Sequence, residues 1–233
     1  MSANSAASRA SAIAILLVLV ALFANQLAPY PPTIGDLRTQ RLLPPSAAHW
    51  LGTDDQGRDI LSALMYGARV SLSVGIASVA LSLVLGVGLG LLSGFVGGKI
   101  DAFIMRVCDV MLSFPPILVA LLIDGVGRAM FPDAHELLAF AVLIIAISLT
   151  GWVRYARTVR GSTMVERNKE YVQAARVIGT RPWRIMRKHV LPNVLGPVLV
   201  LATIHVAEAI ILEATLSFLG LGAPNLMSWG FMI

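Results

Sequence analysis

The sequence alternates between long apolar stretches and shorter polar segments. Five stretches approach the roughly 20 mostly apolar residues that a transmembrane helix needs, over residues 10–28, 70–95, 102–123, 137–153 and 194–216. None of them alternates apolar and polar positions with a period of two, as strands of membrane β-barrels do. The pattern therefore predicts an all-α fold, a polytopic transmembrane helical bundle with five spans.

Composition agrees with this prediction. Hydrophobic residues make up 57% of the 233 residues and charged residues 13%, whereas soluble domains average about 45–50% and 25%. Mean hydropathy is +0.78. A soluble chain of this length would expose much of that apolar surface to water, so soluble, fibrous and disordered classes are excluded.

Positive charge is concentrated in one segment. From Arg154 to Lys188 the chain has ten of its 18 basic residues and two acidic ones, a net charge of +8, against +5 for the whole chain. Basic residues in short loops mark the cytoplasmic side. We therefore expect the N-terminus, the turn at 97–101 and the 154–192 loop to be cytoplasmic, and we do not expect a nucleic-acid partner.

The first apolar stretch could also be a signal peptide, because Arg9 precedes it. The small residues that cleavage requires are missing, since Gln26 or Leu22 would occupy a key position before the cut. An uncleaved helix is therefore favoured. We divide the chain into residues 1–69, a first helix and an outer loop, and residues 70–233, the transmembrane core.

Two local features modify this scheme. In the outer loop, Thr53 or Asp54 is expected to cap a short amphipathic surface helix with an apolar stripe starting at Ile60. In the third stretch, Pro115 and Pro116 predict a kink, because proline lacks an N–H and crowds the preceding turn.

The sequence contains no motif of an enzyme. The patterns H-E-x-x-H, G-x-S-x-G and G-x-x-x-x-G-K-[ST] are absent from it. The four histidines are far apart in different segments, and the single cysteine, Cys108, excludes an intrachain disulfide. We therefore expect no catalytic residues, no metal site and no cofactor in this chain.

Glycines recur along one face of the second stretch. Gly86, Gly90 and Gly94 are four residues apart, a spacing that lets another helix approach closely. That helix belongs either to this chain, which is the more common case, or to a partner protein.

Ionisable residues occur within the fifth stretch. His205 and Glu208 are three apart on one face, and Glu213 lies further along. Ionisable groups at such depth are costly and face protein or a water-filled path. We favour a hydrogen-bonded buried pair of His205 and Glu208 over a direct role in transport.

The basic loop has a helical signature of its own. Residues 168–178 are helix-forming, with Ala174 and Ala175 at the centre and Gly179 as the expected C-cap. The loop could simply be solvated or contact anionic lipid. A capped helix with small residues instead suits insertion into a cleft of a partner protein.

These motifs together resemble the inner-membrane permeases of binding-protein-dependent ABC importers, in the dipeptide, oligopeptide and nickel branch. The family signature, Glu-Ala-Ala followed by Gly and later Leu-Pro, stands here as Gln173-Ala174-Ala175, Gly179 and Leu191-Pro192. Gln173 replaces the usual Glu, and His189 replaces the usual Ile. Further matches to the branch are Leu51–Asp54, Gly57–Asp59, Tyr66–Ser71, Asp109–Pro115, Tyr155–Arg157 and Glu213–Gly222.

The resemblance implies an importer made of several subunits. This chain would form a heterodimer with a second permease. Its other partners would be two cytoplasmic ATPases that hold ATP and Mg²⁺, an extracytoplasmic solute-binding protein and membrane lipid. Tyr171, Gln173, Ala174, Ala175, Gly179, Leu191 and Pro192 would dock on an ATPase. The expected location is a bacterial inner membrane, with the N-terminus cytoplasmic.

The branch usually has one more span after residue 222, so a sixth span is expected to be missing and Ile233 to end on the outer side. Two other classes stay open from the residues alone, a proton- or ion-coupled secondary transporter and a non-transporting scaffold. No internal repeat of the kind found in secondary transporters is detectable. The solute, whether dipeptide, oligopeptide, nickel complex or glutathione, is not encoded in these motifs.

Overall fold

A computed structural model describes residues 2–31, 35–36, 40–131, 136–221 and 227–232. Within these ranges the chain is helical, and its only pairing of extended backbone is an isolated antiparallel bridge between Thr53 and Asp59. The helices are α1 (Ser2–Leu22), α2 (Ala24–Leu27), α3 (Ile60–Val96), α4 (Gly98–Leu112), α5 (Pro116–Met130), α6 (Glu136–Glu166), α7 (Glu170–Val177), α8 (Pro182–Ile185) and α9 (Leu191–Phe218). A π-helical turn, Met186–Val190, joins α8 to α9, and Gly230–Met232 forms a 3₁₀ turn.

The all-helical class is confirmed, whereas the count of five spans is not. In the described part of the chain three helices are long and apolar enough to cross a membrane: Ile60–Val96, Leu138–Glu166 and Pro182–Phe218. Helices α4 and α5 make a fourth only if they count together as one broken span, and the apolar part of α1, Ser11–Leu22, is shorter. His135, Gly222 and Ile233 lie outside the described residues.

The third predicted span is not one kinked helix. Helix α4 ends at Leu112, α5 begins at Pro116, and the two axes differ by 93°. Pro115 is extended, with φ −57° and ψ 129°, because a residue before proline avoids the helical region. Pro116 then occupies the first turn of α5, where its missing N–H costs nothing. The proline pair thus ends one helix and starts another.

Two predicted boundaries are also wrong. Helix α6 continues 13 residues past the predicted end at Val153, so Arg154, Arg157 and Arg160 lie on a helix and not in a loop. No separate surface helix follows the outer loop, because Ile60 begins α3 directly. Asp59, and not Thr53 or Asp54, accepts the hydrogen bond from the Ser62 amide at 2.8 Å in the manner of an N-cap.

The described chain divides into two compact units, which we describe separately. The first comprises Met1–Val74, His135–Phe140 and Glu213–Ile233. In it the segment 40–59 is attached to the start of α3: Asp59 accepts hydrogen bonds from the Ser62 hydroxyl, at 2.7 Å, and from His49 Nδ1, at 3.0 Å. Burial acts to raise the pKa of the Asp59 carboxyl, but the Ser62 and His49 hydrogen bonds outweigh it and lower that pKa below its usual 3.8.

The second unit comprises Gly75–Ala134 and Ala141–Leu212. Its core forms where α6, α7, the π-helical turn and the start of α9 meet. The buried members of this cluster are Tyr155, Val159, Val172, Ala175, Ile185, Val190, Val194 and Val198. The short helix α7 is therefore packed on the same apolar core that holds the long helices.

Candidate functional site

The glycine face of α3 packs against α6 of the same chain. A Cβ atom added at Gly86 would lie 2.5 Å from the Trp152 carbonyl oxygen, and one added at Gly94 would lie 2.7 Å from the Arg160 carbonyl oxygen. Real Cβ atoms do not approach backbone so closely, so the absence of side chains is what allows this helix contact. Of the two partners considered from the sequence, the structure thus gives these glycines an intrachain one.

Serine side chains extend this seam between α3 and α6. The Ser82 hydroxyl donates to the Ser148 carbonyl oxygen at 3.0 Å, and the Ser148 hydroxyl donates to the Ser78 carbonyl oxygen at 3.1 Å. Small hydroxyl residues let helices approach closely and hydrogen-bond across the contact. The sequence analysis missed this set, although the buried serines recur at helical spacing along α3.

His205 and Glu208 do not pair with each other, which corrects the expectation. The buried His205 Nδ1 lies 3.0 Å from the Tyr155 hydroxyl of α6. Its ring fills the space above Gly151, where an added Cβ would be 2.1 Å from the His205 Cε1. The imidazole therefore belongs to the α6–α9 contact, and the partner was hidden because it comes from another helix.

Glu208 instead forms an ion pair with Arg154. Both side chains are close to half exposed, 45% for Arg154 and 43% for Glu208. Glu208 is near the middle of α9, and Arg154 is near the middle of α6. Charges at that depth are costly against lipid, so this face of the helix pair is suited to contact water or protein.

Glu213 is buried in the first unit and is satisfied there. Its carboxylate accepts hydrogen bonds from the Ser217 hydroxyl, at 2.7 Å, and the Ser71 hydroxyl, at 3.1 Å. It therefore joins α3 to α9 within this unit.

Two further ion pairs connect α6 to α4. Arg157 pairs with Asp109, and Arg160 Nη2 donates to Asp101 Oδ2 at 2.7 Å. Their spacing of three residues would also let Arg106 and Asp109 pair on one face of α4, but the ion pair of Asp109 is with Arg157. These pairs were missed because Arg157 and Arg160 were assigned to a loop, whereas they lie on the last turns of α6.

Helix α7 is the capped helix expected in the basic loop. Gly179 has φ +74° just beyond it, and the Thr180 amide donates to the Ala175 carbonyl oxygen at 3.0 Å. The Gly179 amide also donates to the Arg176 carbonyl oxygen at 3.0 Å. These two bonds form a Schellman motif, which needs a residue with positive φ at the glycine position.

The two central alanines of α7 point in different directions. Ala174 is exposed, whereas Ala175 is buried in the core of the second unit. The expectation that both alanines face a partner cleft is therefore wrong for Ala175, whose small size serves packing within this chain. The most exposed apolar side chains are at the end of the helix, Val177 at 87% and Ile178 at 79%.

A polar contact holds the start of α7 to the start of α9. The Tyr171 hydroxyl donates to the Glu166 carboxylate and accepts from Asn193 Nδ2 at 3.0 Å. Burial and the bond to Glu166 both raise the pKa of Tyr171. Leu191 and Pro192 form the first turn of α9 beside this contact, and Gln173 is exposed with its amide directed at the Arg167 carbonyl oxygen. Tyr171, Leu191 and Pro192 thus belong to the framework around α7.

Among the described residues no group of three or more His, Cys, Asp or Glu side chains is arranged to hold a metal ion. The polar groups described above are paired within helix contacts. The arrangement is suited to fixing helices relative to one another and to presenting the end of α7.

Two families match this chain. Residues 86–233 match the family described as binding-protein-dependent transport system inner membrane component. Residues 2–45 match the N-terminal TM domain of oligopeptide transport permease C.

Curated relatives are similar over nearly the whole chain. The oligopeptide transport system permease protein OppC of Bacillus subtilis (strain 168) is 41% identical over 94% of this chain and 69% of its own length. The probable D,D-dipeptide transport system permease protein DdpC of Escherichia coli (strain K12) is 40% identical over 95% of this chain and 71% of its own length.

The fold is similar to that of a solved transporter. A chain of the inward-facing MetNI methionine ABC transporter aligns with a TM-score of 0.60 and 20% sequence identity. The alignment covers 70% of this chain and 77% of that one. At this identity the likeness concerns the fold alone.

Proposed function

Because this chain belongs to the family of binding-protein-dependent transport system inner membrane components, we propose that it forms half of the translocation pathway of an ATP-driven peptide importer and couples that pathway to cytoplasmic ATPases. The observation that carries the coupling role is the rigid helix α7, which is packed on the core of the long helices and exposes Val177 and Ile178 at its end. A displacement of α7 by a partner would therefore move α6 and α9 with it.

Force transmission requires a stiff connection, and three contacts support it. The Schellman motif at Gly179 fixes the end of α7, Tyr171 joins its start to Asn193, and Ala175 is held in the core. None of these groups has a chemical step to perform. The chain acts as a mechanical subunit, and ATP with Mg²⁺ is bound and hydrolysed by partner subunits.

The pathway role is supported by the Arg154–Glu208 pair. A half-exposed ion pair near the middle of two helices is unfavourable against lipid tails. It is tolerated where the face of α6 and α9 borders water or a second permease. We assign this face to the interior of the assembled importer.

The proposed assembly has a second permease as a heterodimer partner, two ATPases and an extracytoplasmic solute-binding protein. Peptides are the proposed cargo because the similar permeases carry the names oligopeptide and D,D-dipeptide transport proteins. We place the chain in a bacterial inner membrane with its N-terminus and α7 in the cytoplasm, since the segment after α6, from Arg167 to Lys188, has seven basic residues and one acidic residue.

The test is copurification followed by uptake. We expect a tagged chain to bring down a second permease and ATPases, and the reconstituted complex to import a labelled dipeptide only with ATP and the binding protein. Uptake driven by a proton gradient without ATP would contradict the proposal and favour a secondary transporter. Purification without any other subunit would favour a scaffold.

Topology is tested separately by cysteine labelling. A cysteine at the exposed Arg181 should react only from the cytoplasmic side, and one at the exposed Trp50 only from outside. Native Cys108 is buried and gives a low background. Labelling of Arg181→Cys by an impermeant reagent in intact cells would show that the orientation is opposite to the one proposed.

A further inference from the structure

A cavity of about 390 Å³ opens beside the last third of α3 in the second unit. Its apolar walls come from Leu91 and Leu92 of α3 and from Met186 and Leu191 near the π-helical turn. Gly88 forms part of the wall, and a Cβ added there would meet no atom within 4 Å. The space beside Gly88 is therefore open, and a side chain at this position would enter it.

The groove is close to one end of α3. Gly88 is eight residues before the end of α3 at Val96, a distance of about 12 Å along a helix. That end of α3 lies next to the basic segment, because the other residues that line the cavity are all between positions 183 and 191. With the proposed orientation, this end of α3 would be at the cytoplasmic side, and the groove would be at the level of the acyl chains of that leaflet.

Two of the residues that line the cavity are of types that are common at lipid headgroups. Arg187 is the one charged residue among the described walls of the cavity. Trp183 also lines the cavity and is 68% exposed. Tryptophan is enriched at the membrane–water interface, and arginine forms paired hydrogen bonds with phosphate.

We propose that this groove is a binding site for an anionic phospholipid, with one acyl chain against Leu91, Leu92 and Met186 and the headgroup phosphate on Arg187. Charge complementarity favours this occupant, because Arg184 and Lys188 flank Arg187 in a segment of net charge +8. A helix of a partner subunit would need an acidic side chain next to Arg187 to match this positive charge.

The site is tested by quenching of Trp183 fluorescence with brominated lipids. The purified chain, with whatever subunits accompany it, is placed in vesicles containing either brominated phosphatidylglycerol or brominated phosphatidylcholine. Trp183→Phe identifies the signal of Trp183 among the four tryptophans. We expect phosphatidylglycerol to quench at a lower mole fraction, and Arg187→Gln to reduce this preference about fivefold.

The acyl-chain part is tested by Gly88→Leu, which adds an apolar side chain to the wall of the groove at a position where the Cβ meets no atom within 4 Å. Quenching by brominated acyl chains should fall in this variant. Gly196→Leu is the matched control, because a Cβ at Gly196 of α9 also meets nothing within 4 Å, and it should quench like the unaltered chain.

Two results would overturn the proposal. The first is that both lipids quench Trp183 equally and that neither Arg187→Gln nor Gly88→Leu changes this quenching. The other is no quenching by either lipid together with a crosslink from position 183 to another subunit, which would make the groove a protein interface. Neither measurement uses peptide uptake, so its outcome is independent of the proposed transport function.

Discussion

Gly90 of α3 lies directly on the backbone of Ala156 in α6, where an added Cβ would come within 2.5 Å of the Ala156 carbonyl oxygen. The opposite side of the same helix is open, since a Cβ at Gly88 meets nothing within 4 Å. The two positions are therefore a natural pair for measuring what close packing contributes to this helix contact.

We expect Gly90→Ala to destabilise the purified protein by about 1–3 kcal/mol, the usual cost of forcing atoms into a packed contact. The obstructing atom is backbone, so it cannot move aside as a flexible side chain would. Gly88→Ala is the control and should leave thermal stability unchanged. Equal melting temperatures for the two variants would show that α3 and α6 are not in close contact.

A second prediction concerns the left-handed residue that ends α7. Gly179→Val should cost about 1–2 kcal/mol, because a β-branched residue resists the φ of +74° found there. Gly179→Asn is the control, since asparagine tolerates this conformation. We expect reconstituted Gly179→Val to hydrolyse ATP with little import, while the binding protein still binds peptide. Normal import by this variant would remove α7 from the coupling pathway.

The exposed end of α7 gives a third prediction. Val177→Ser and Ile178→Ser should weaken ATPase recruitment in pull-down experiments, with thermal stability unchanged because both side chains are outside the core. Leu219→Ser is the control, because it changes another exposed apolar side chain outside α7, and this variant should recruit ATPases normally. If recruitment survives both α7 changes, docking uses another surface. Ala175→Trp is a less informative change, because Ala175 is buried and the variant would disturb the core itself.

The sequence pattern predicts the helical class, the glycine face and the capped helix, because each depends on local residue order. Apolar length predicts helices, a four-residue spacing of Gly86, Gly90 and Gly94 predicts a close contact, and Gly179 marks the end of α7. The family signature adds the role of that helix, which the residues alone leave open between a solvated loop and a docking element.

Several of the errors depend on contacts between distant segments. Arg154, Arg157 and Arg160 are polar enough to suggest a loop, but acidic partners on α9 and α4 neutralise them and α6 continues. His205 was assigned to the nearest polar residue along its own helix, whereas Tyr155 of α6 lies closer in space. The direction of Ala175 likewise follows from packing on α6 and α9, which periodicity over eight residues does not resolve.

A fourth prediction addresses the Arg154–Glu208 pair. Arg154→Gln or Glu208→Gln alone leaves one charge uncompensated, at a cost between about 1 kcal/mol for an exposed pair and about 3 kcal/mol for one withdrawn from water. The double variant removes both charges and should regain much of the stability and uptake lost in either single variant. Purely additive losses in the double variant would contradict the interaction.

The last prediction concerns the Asp59 carboxylate, which attaches the segment 40–59 to the start of α3 through Ser62 and His49. Its pKa is lower in the folded protein than its usual 3.8, so folding favours the ionised form. The resulting stabilisation is present above about pH 4 and is lost as the pH falls through the lowered folded pKa. We therefore expect limited proteolysis of the segment to increase below pH 4.

The same contact is tested at neutral pH by substitution. Asp59→Asn should show increased cleavage already at neutral pH, with a loss of about 1 kcal/mol typical of a weakened N-cap. Asp55→Asn, a change of the same kind on an exposed residue of the same segment, should behave like the unaltered chain at both pH values. Equal protection of the Asp59→Asn and Asp55→Asn variants would show that the segment is held by other contacts.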